Sequence, residues 1–244
     1  VSEPRLELHQ FRQSAFCEKV RLILAWKQLP ASFVEVTPGL GQLQLFRLSG
    51  QRQVPVLVDG EEVIADSTAI ALHLEERYPA PPLLPADPAA RARVLLLEDW
   101  ADTSLAGGAR LALLQAAAAD PELRAALLPE ATPAPLRSLV GALPGAVMGP
   151  AGEAVRELSG ARQAEQLLSN LEQLQRLVAV TDHLEADRLS LADLAVVAQL
   201  SLLRFPASAG VPLAGRGVPG IADNPLLEPL FSWRDRILAT LGRA

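Results

Sequence analysis

At 244 residues, half of them hydrophobic, the chain has room for one large domain or two modest ones and for a sizeable core. A formal net charge of -6, with no local cluster of arginines and aromatics, opposes binding to nucleic acid. A single cysteine excludes an internal disulfide framework and a multi-cysteine zinc site, and suits a reducing compartment.

His9, His73 and His183 are scattered without metal-ligand spacing. The charge-free stretch 138–152 is too short, and too broken by Pro144, Pro150 and several glycines, to span a bilayer. The opening VSEPRLEL lacks the pattern of a secretory signal. The expectation is a cytoplasmic protein with no metal, membrane or nucleic-acid partner.

LELHQF (6–11) alternates apolar and polar residues as a half-buried strand does. Phe16, Val20, Ile23, Leu24 and Lys27 then follow helical spacing, and Pro30 closes the segment. SFVEV (32–36) reads as a second strand, so the start is a β-α-β unit with parallel pairing. In VPVLVDGEEVIA, Asp59-Gly60 separates two β-rich runs and predicts a hairpin. A further helix is predicted from about Ser67 to Tyr78, which makes 1–80 an α/β domain.

PAPPLLPADP (79–88) holds five prolines in ten positions and marks the boundary, with 81–88 as linker. Beyond it, from about Ala89 to Ala119 and from Gln163 to Leu184, propensity and leucine spacing predict helices, so 89–244 is expected to be all-α. The stretch 131–153 is too rich in Pro, Gly and Ala for one continuous helix and reads as a lid or a disordered excursion.

Three motifs, S-x-F-C-x-K-V-R at 14–21, V-P-V-L at 54–57 and A-D-S-T-A-I at 65–70, resemble in order and spacing those of the cytosolic glutathione transferases. The resemblance covers roughly residues 5–80. In the helical half it rests on LSLADLAV (189–196) and NPLLEPLFSWRDRI (224–237). It implies an α/β thioredoxin-like N-terminal domain that binds glutathione, followed by an all-α C-terminal domain, and a homodimer. The implied partners are glutathione, as co-substrate, and a small electrophilic molecule.

Each motif has a plain structural reading beside the inherited one. Ser14 is a preferred helix N-cap; in the resembled family this position carries the hydroxyl that donates to the glutathione sulfur. Pro55 fits the first residue of a strand; by resemblance the Val54-Pro55 bond is cis and the Val54 backbone pairs with the cysteinyl main chain of glutathione. Asp66 and Ser67 read as an ordinary N-cap; by resemblance Ser67 meets the γ-glutamyl carboxylate and Asp66 lies close by, where many relatives have Glu. Gln53 matches a position near the glycyl carboxylate, with Arg52 adjacent. Ser49-Gly50 stands where relatives often have Asn-Pro.

Cys17 occupies the second position of a C-x-x-C whose first cysteine is absent, so it reads as core rather than as a reactive thiol. Phe16, Trp100, Thr103 and Ser104, with Leu105, are candidates for the second-substrate cleft. Ser190 to Asp193 has the form of a capping box, with Leu189 and Leu194 at the staple positions.

The function expected is therefore glutathione conjugation, with Ser14 stabilising the thiolate. The alternatives are a non-catalytic relative that binds or scaffolds, and a thiol reductase working through Cys17.

Overall fold

A computed structural model of the chain describes residues 6–37, 40–128, 132, 135, 150–185 and 188–243, those at 40 and 150–161 by their backbone. The chain divides into two compact units, Val1–Asp99 with Glu185–Ala198, and Trp100–Leu184 with Gln199–Ala244. Most of the stretch 131–153 lies outside the described residues.

The first unit is built on a four-stranded sheet in the order β2-β1-β3-β4. Strand β1 (Leu6–Gln10) pairs in parallel with β2 (Ala31–Glu35) and antiparallel with β3 (Val56–Asp59), which pairs antiparallel with β4 (Glu62–Ala65). The alternation in LELHQ has the expected result: Leu6, Leu8 and Gln10 are buried on one face, and Glu7 and His9 are half-buried on the other. Gly60 takes φ 65°, which the two-residue hairpin turn between β3 and β4 requires.

Helix α1 (Ala15–Trp26) crosses between the parallel strands, α2 (Leu40–Ser49) precedes β3, and α3 (Ser67–Arg77) follows the hairpin. Val20, Leu22, Ile23, Leu57, Ile70 and Leu74 are fully buried among α1, the sheet and α3. This is the thioredoxin-like fold, and α2 is an element that the sequence reading passed over. The reason is physical: Leu45 is buried, against Val36 and Val56, while Leu43, Phe46 and Leu48 are exposed. No clean apolar stripe exists to be read.

The proline-rich segment is tied to the first unit. Lys27 Nζ donates to Glu75 Oε2 at 2.7 Å, to the Tyr78 carbonyl at 2.7 Å and to the Pro81 carbonyl at 3.1 Å. Glu75 in turn accepts from the N–H groups of Leu83 and Leu84, both buried.

Helix α4 (Pro88–Trp100) continues through a π turn (Ala101–Leu105) into α5 (Ala106–Ala119), and α6 (Pro121–Ala126) follows. In the second unit the leucines of α7 (Pro150–Val178) at 167, 171 and 174 are buried, as their spacing predicts. A side chain at Gly108 would meet Leu167 at 3.2 Å, so that glycine sets how closely α5 and α7 approach.

Helix α9 (Glu228–Thr240) buries Leu230, Phe231 and Trp233, whose indole N–H donates to the Asp182 carbonyl at 2.8 Å. Arg234, 1% exposed, donates to the carbonyls of Leu200 and Arg204. No helix among the described residues is long and apolar enough to cross a membrane.

Helix α8 (Leu191–Leu203) opens on the predicted capping box. The Ser190 N–H and Oγ donate to Asp193 Oδ2 at 2.8 and 2.7 Å, Asp193 is fully buried, and Leu189 and Leu194 are buried on either side. Asp193→Ala takes the common acceptor from the buried Ser190 N–H and hydroxyl, a cost of about 1–3 kcal/mol. The expected net loss is about 2–3 kcal/mol, seen as a fall in Tm of roughly 5–10 °C. An unshifted melting curve would contradict the assignment.

Candidate functional site

The sheet register gathers the three motifs. His9 pairs with Val56, and Val56 pairs with Ala65 on its other side. The chain therefore leaves β1 toward Ser14, enters β3 from Val54-Pro55 and leaves β4 into Asp66-Ser67, all at one end of three adjacent strands about 4.8 Å apart.

Ser14 N-caps α1. Its Oγ accepts from the Cys17 N–H at 3.4 Å, and its own N–H closes a turn on the Phe11 carbonyl at 3.0 Å. Capping uses the oxygen as acceptor and leaves the hydroxyl proton to donate, either to the Cys17 sulfur beside it or to a bound acceptor. The structural and the inherited readings of Ser14 are thus compatible, and the site is half-buried rather than sealed.

The Val54-Pro55 bond is cis, with Val54 half-buried and Pro55 buried. Asp66 has φ 82°, a left-handed value uncommon for a residue with a side chain. Its Oδ1 caps α3, accepting from the N–H groups of Thr68 and Ala69 at 2.9 and 3.0 Å. An outlier of this kind costs of order 1–3 kcal/mol and tends to sit at functional sites. Ser67, at the start of α3, is 2% exposed. Gln53 is exposed, and the Arg52 guanidinium lies 5.5 Å from the centre of the Phe46 ring, which directs it toward α2.

Cys17 is fully buried, and its sulfur accepts from the Phe11 N–H at 3.5 Å. Burial pushes its thiol pKa up, and the hydrogen bonds to Phe11 and Ser14 only partly oppose this. The thiol is therefore protonated at neutral pH and shielded from disulfides, the reverse of a reactive cysteine.

Of the cleft candidates, Phe16 is half-buried in the first unit. In the second unit Trp100 is half-buried, and Thr103 and Ser104 are exposed on the π turn. Such turns inside α-helices often mark functional positions.

Lys19 and Thr68, which lie inside two of the motifs, were not singled out from sequence. Lys19 Nζ donates to Glu98 Oε1 at 2.5 Å, and Thr68 Oγ1 donates to the same oxygen at 2.6 Å. This buried cluster ties α1 and α3, the helices that follow Ser14 and Asp66, to α4.

The sequence pattern of the glutathione S-transferase N-terminal domain family matches residues 8–82. A zeta-class glutathione S-transferase of Euphorbia esula is 39% identical over 89 residues, which are 35% of this chain and 40% of that protein. The chain thus spans about two-fifths of the length of the zeta-class relatives it matches. FtsZ-localized protein A of Caulobacter vibrioides is 30% identical over 205 residues, covering 81% of this chain and 77% of that protein. Among solved structures, the beta-etherase LigF of Sphingobium sp. strain SYK-6 aligns with a TM-score of 0.67 at 25% identity, over 96% of this chain and 95% of that one.

Proposed function

The chain belongs to the cytosolic glutathione S-transferase family, and from that premise we propose that it conjugates the glutathione thiolate to an electrophilic, hydrophobic small molecule. The observation that carries the reading is the register His9, Val56, Ala65, which brings Ser14, Val54-Pro55 and Asp66-Ser67 to one end of the sheet. In this reading Ser14 donates to the sulfur, the Val54 backbone pairs with the cysteinyl main chain, Asp66 and Ser67 receive the γ-glutamyl end and Gln53 lies near the glycyl carboxylate.

The chemistry balances without a metal or a second thiol. Glutathione gives up its thiol proton to solvent, and the thiolate's electron pair forms the S–C bond. In substitution the leaving group departs with its bonding pair; in addition the displaced π pair takes a proton from water. Residues 1–80 hold glutathione, 81–88 link, and 89–244 supply the apolar cleft for the second substrate, with Trp100, Thr103 and Ser104 as its lining. A cytoplasmic homodimer with a detoxifying role completes the proposal.

One observation favours a second reading. FtsZ-localized protein A covers most of the chain, and its name speaks of where that protein is found rather than of a reaction. A binding or scaffolding protein on the same fold is the alternative. Burial of Cys17 argues against a Cys17-dependent reductase.

Titration of glutathione into the protein, followed by thiolate absorbance and by conjugation of an aryl halide, separates the three readings. Binding with thiolate formation and turnover is expected, and Cys17→Ser is expected to keep both within about twofold, since a buried neutral thiol supplies no nucleophile. Absence of binding favours the scaffold, and loss confined to Cys17→Ser favours the reductase.

A further inference from the structure

The turn that leads into Ser14 is held by side chains to which the proposed reaction gives no part. Arg12 lies two residues ahead of Ser14, and both of its backbone polar groups are engaged. Its N–H donates to Glu35 Oε1 at 2.9 Å, and its carbonyl accepts from Arg21 Nη2 at 2.8 Å. Gln10 joins the two clamps, accepting from Arg21 Nη1 at 2.5 Å and donating from Nε2 to Glu35 Oε2 at 3.4 Å.

These hydrogen bonds close a ring through α1, the end of β1, the turn and β2. Arg21 and Gln10 are each 8% exposed, and Arg21 Nε donates to Glu18 Oε2 at 2.6 Å, which balances the guanidinium charge within its own helix. The guanidinium meets a carbonyl, an amide oxygen and a carboxylate through three separate nitrogens, Nη2, Nη1 and Nε, spread over its planar fork, and the point charge of a lysine ammonium does not reproduce that spread. On the other side of the turn the Phe11 N–H is held by Cys17 Sγ.

The direction of the Ser14 hydroxyl is set by this turn, because Ser14 begins where the turn ends and its N–H completes it. A catalytic donor has to be held within about 0.5 Å and 10–20° of its productive geometry, and a hydrogen bond to sulfur weakens steeply with misalignment. We propose that Arg21 and Glu35 are positioning residues for Ser14: by clamping the two backbone polar groups of Arg12 they fix the turn that aims the hydroxyl at the glutathione sulfur. The inference rests on the reading of Ser14 as the thiolate's donor.

The test measures three things on wild type, Arg21→Gln, Arg21→Lys and Glu35→Ala: the pKa of bound glutathione from thiolate absorbance against pH, kcat and KM with an aryl halide, and affinity for S-methylglutathione, which presents no thiol. Arg21→Gln and Glu35→Ala are expected to raise the thiol pKa by about half a unit to one unit and to lower kcat by roughly tenfold, while S-methylglutathione affinity stays within about twofold. Arg21→Lys recovers only part of the loss. Glu35 lies on an exposed edge strand, so Glu35→Ala decides the matter should Arg21→Gln fail to fold. If wild type leaves the bound thiol at its solution pKa, the Ser14 reading falls and takes this inference with it. If wild type depresses that pKa and the folded variants keep it depressed with kcat intact, the inference alone is overturned.

Discussion

Ser14→Ala is expected to raise the pKa of bound glutathione by about one to two units and to lower kcat/KM near neutral pH by roughly 10- to 100-fold. An alkyl thiol ionises near pH 8.5, so little thiolate exists at neutral pH unless the protein favours it. A hydrogen bond to a charged acceptor contributes roughly 1.5–3 kcal/mol and the nearby N-terminus of α1 up to about 1, and each pKa unit corresponds to about 1.36 kcal/mol. The helix remains in the variant while the hydrogen bond goes, so the larger of the two contributions is lost.

The sign is set by linkage. Ser14 stabilises the deprotonated form, so its removal shifts the rise of rate with pH upward, and at pH well above both thiol pKa values the two proteins converge in thiolate content. The capping role separates cleanly, because it acts on the fold. With the Ser14 Oγ to Cys17 N–H distance at 3.4 Å the cap is a long one, and loss of stability is expected at the low end of the usual range of about 0.5–2 kcal/mol. Ser14→Thr, which keeps a hydroxyl, restores both properties in part. A Ser14→Ala protein that still binds glutathione as thiolate with the wild-type pH profile sinks the mechanism, whatever its melting temperature.

What was legible from sequence and what was not divides along physical lines. Strand β1, helix α1, the hairpin and α3 carry clean periodicity and local turn chemistry, and Gly60 takes the positive φ of the turn, although Asp59 ends β3 and the two turn residues are Gly60 and Glu61. Helix α2 does not, since Leu43, Phe46 and Leu48 are exposed and glycines flank it. The three site motifs were visible as words, but their meeting at one sheet end depends on strand register, which residue spacing alone does not set.

Least legible were the long-range polar contacts. Nothing near Arg21 points to the Arg12 carbonyl, and nothing in PAPPLLPADP announces that Lys27 and Glu75 hold it. Burying such groups is unfavourable until the partner arrives from elsewhere in the chain, so each is intelligible only after the fold is known.

Lys19 and Glu98 form the contact whose disruption is expected to cost most. Their side chains are 1% and 3% exposed with Nζ to Oε1 at 2.5 Å, and Thr68 adds a hydroxyl donor to the same oxygen. Lys19→Met leaves a carboxylate buried with only the Thr68 hydroxyl and its remaining neighbours, and breaking a buried pair from one side costs about 3–5 kcal/mol. Glu98→Leu takes the carboxylate from the buried ammonium, which keeps the Thr68 hydroxyl at 3.3 Å, with a comparable penalty.

The double variant Lys19→Met with Glu98→Leu removes both charges and is expected to lose less than either single change, because much of each single penalty is the uncompensated charge rather than the missing attraction. Denaturant unfolding of the four proteins measures the coupling. Singles that lose under about 1 kcal/mol, or a double variant whose loss is the sum of theirs, would remove the pair from the account of stability. The consequence reaches the site: α1 carries Ser14 at its start and α3 carries Asp66 and Ser67, and this cluster joins both helices to α4. Weakened glutathione affinity is therefore expected in the singles and recovery of it in the double, a pattern that loss of a surface ion pair does not produce.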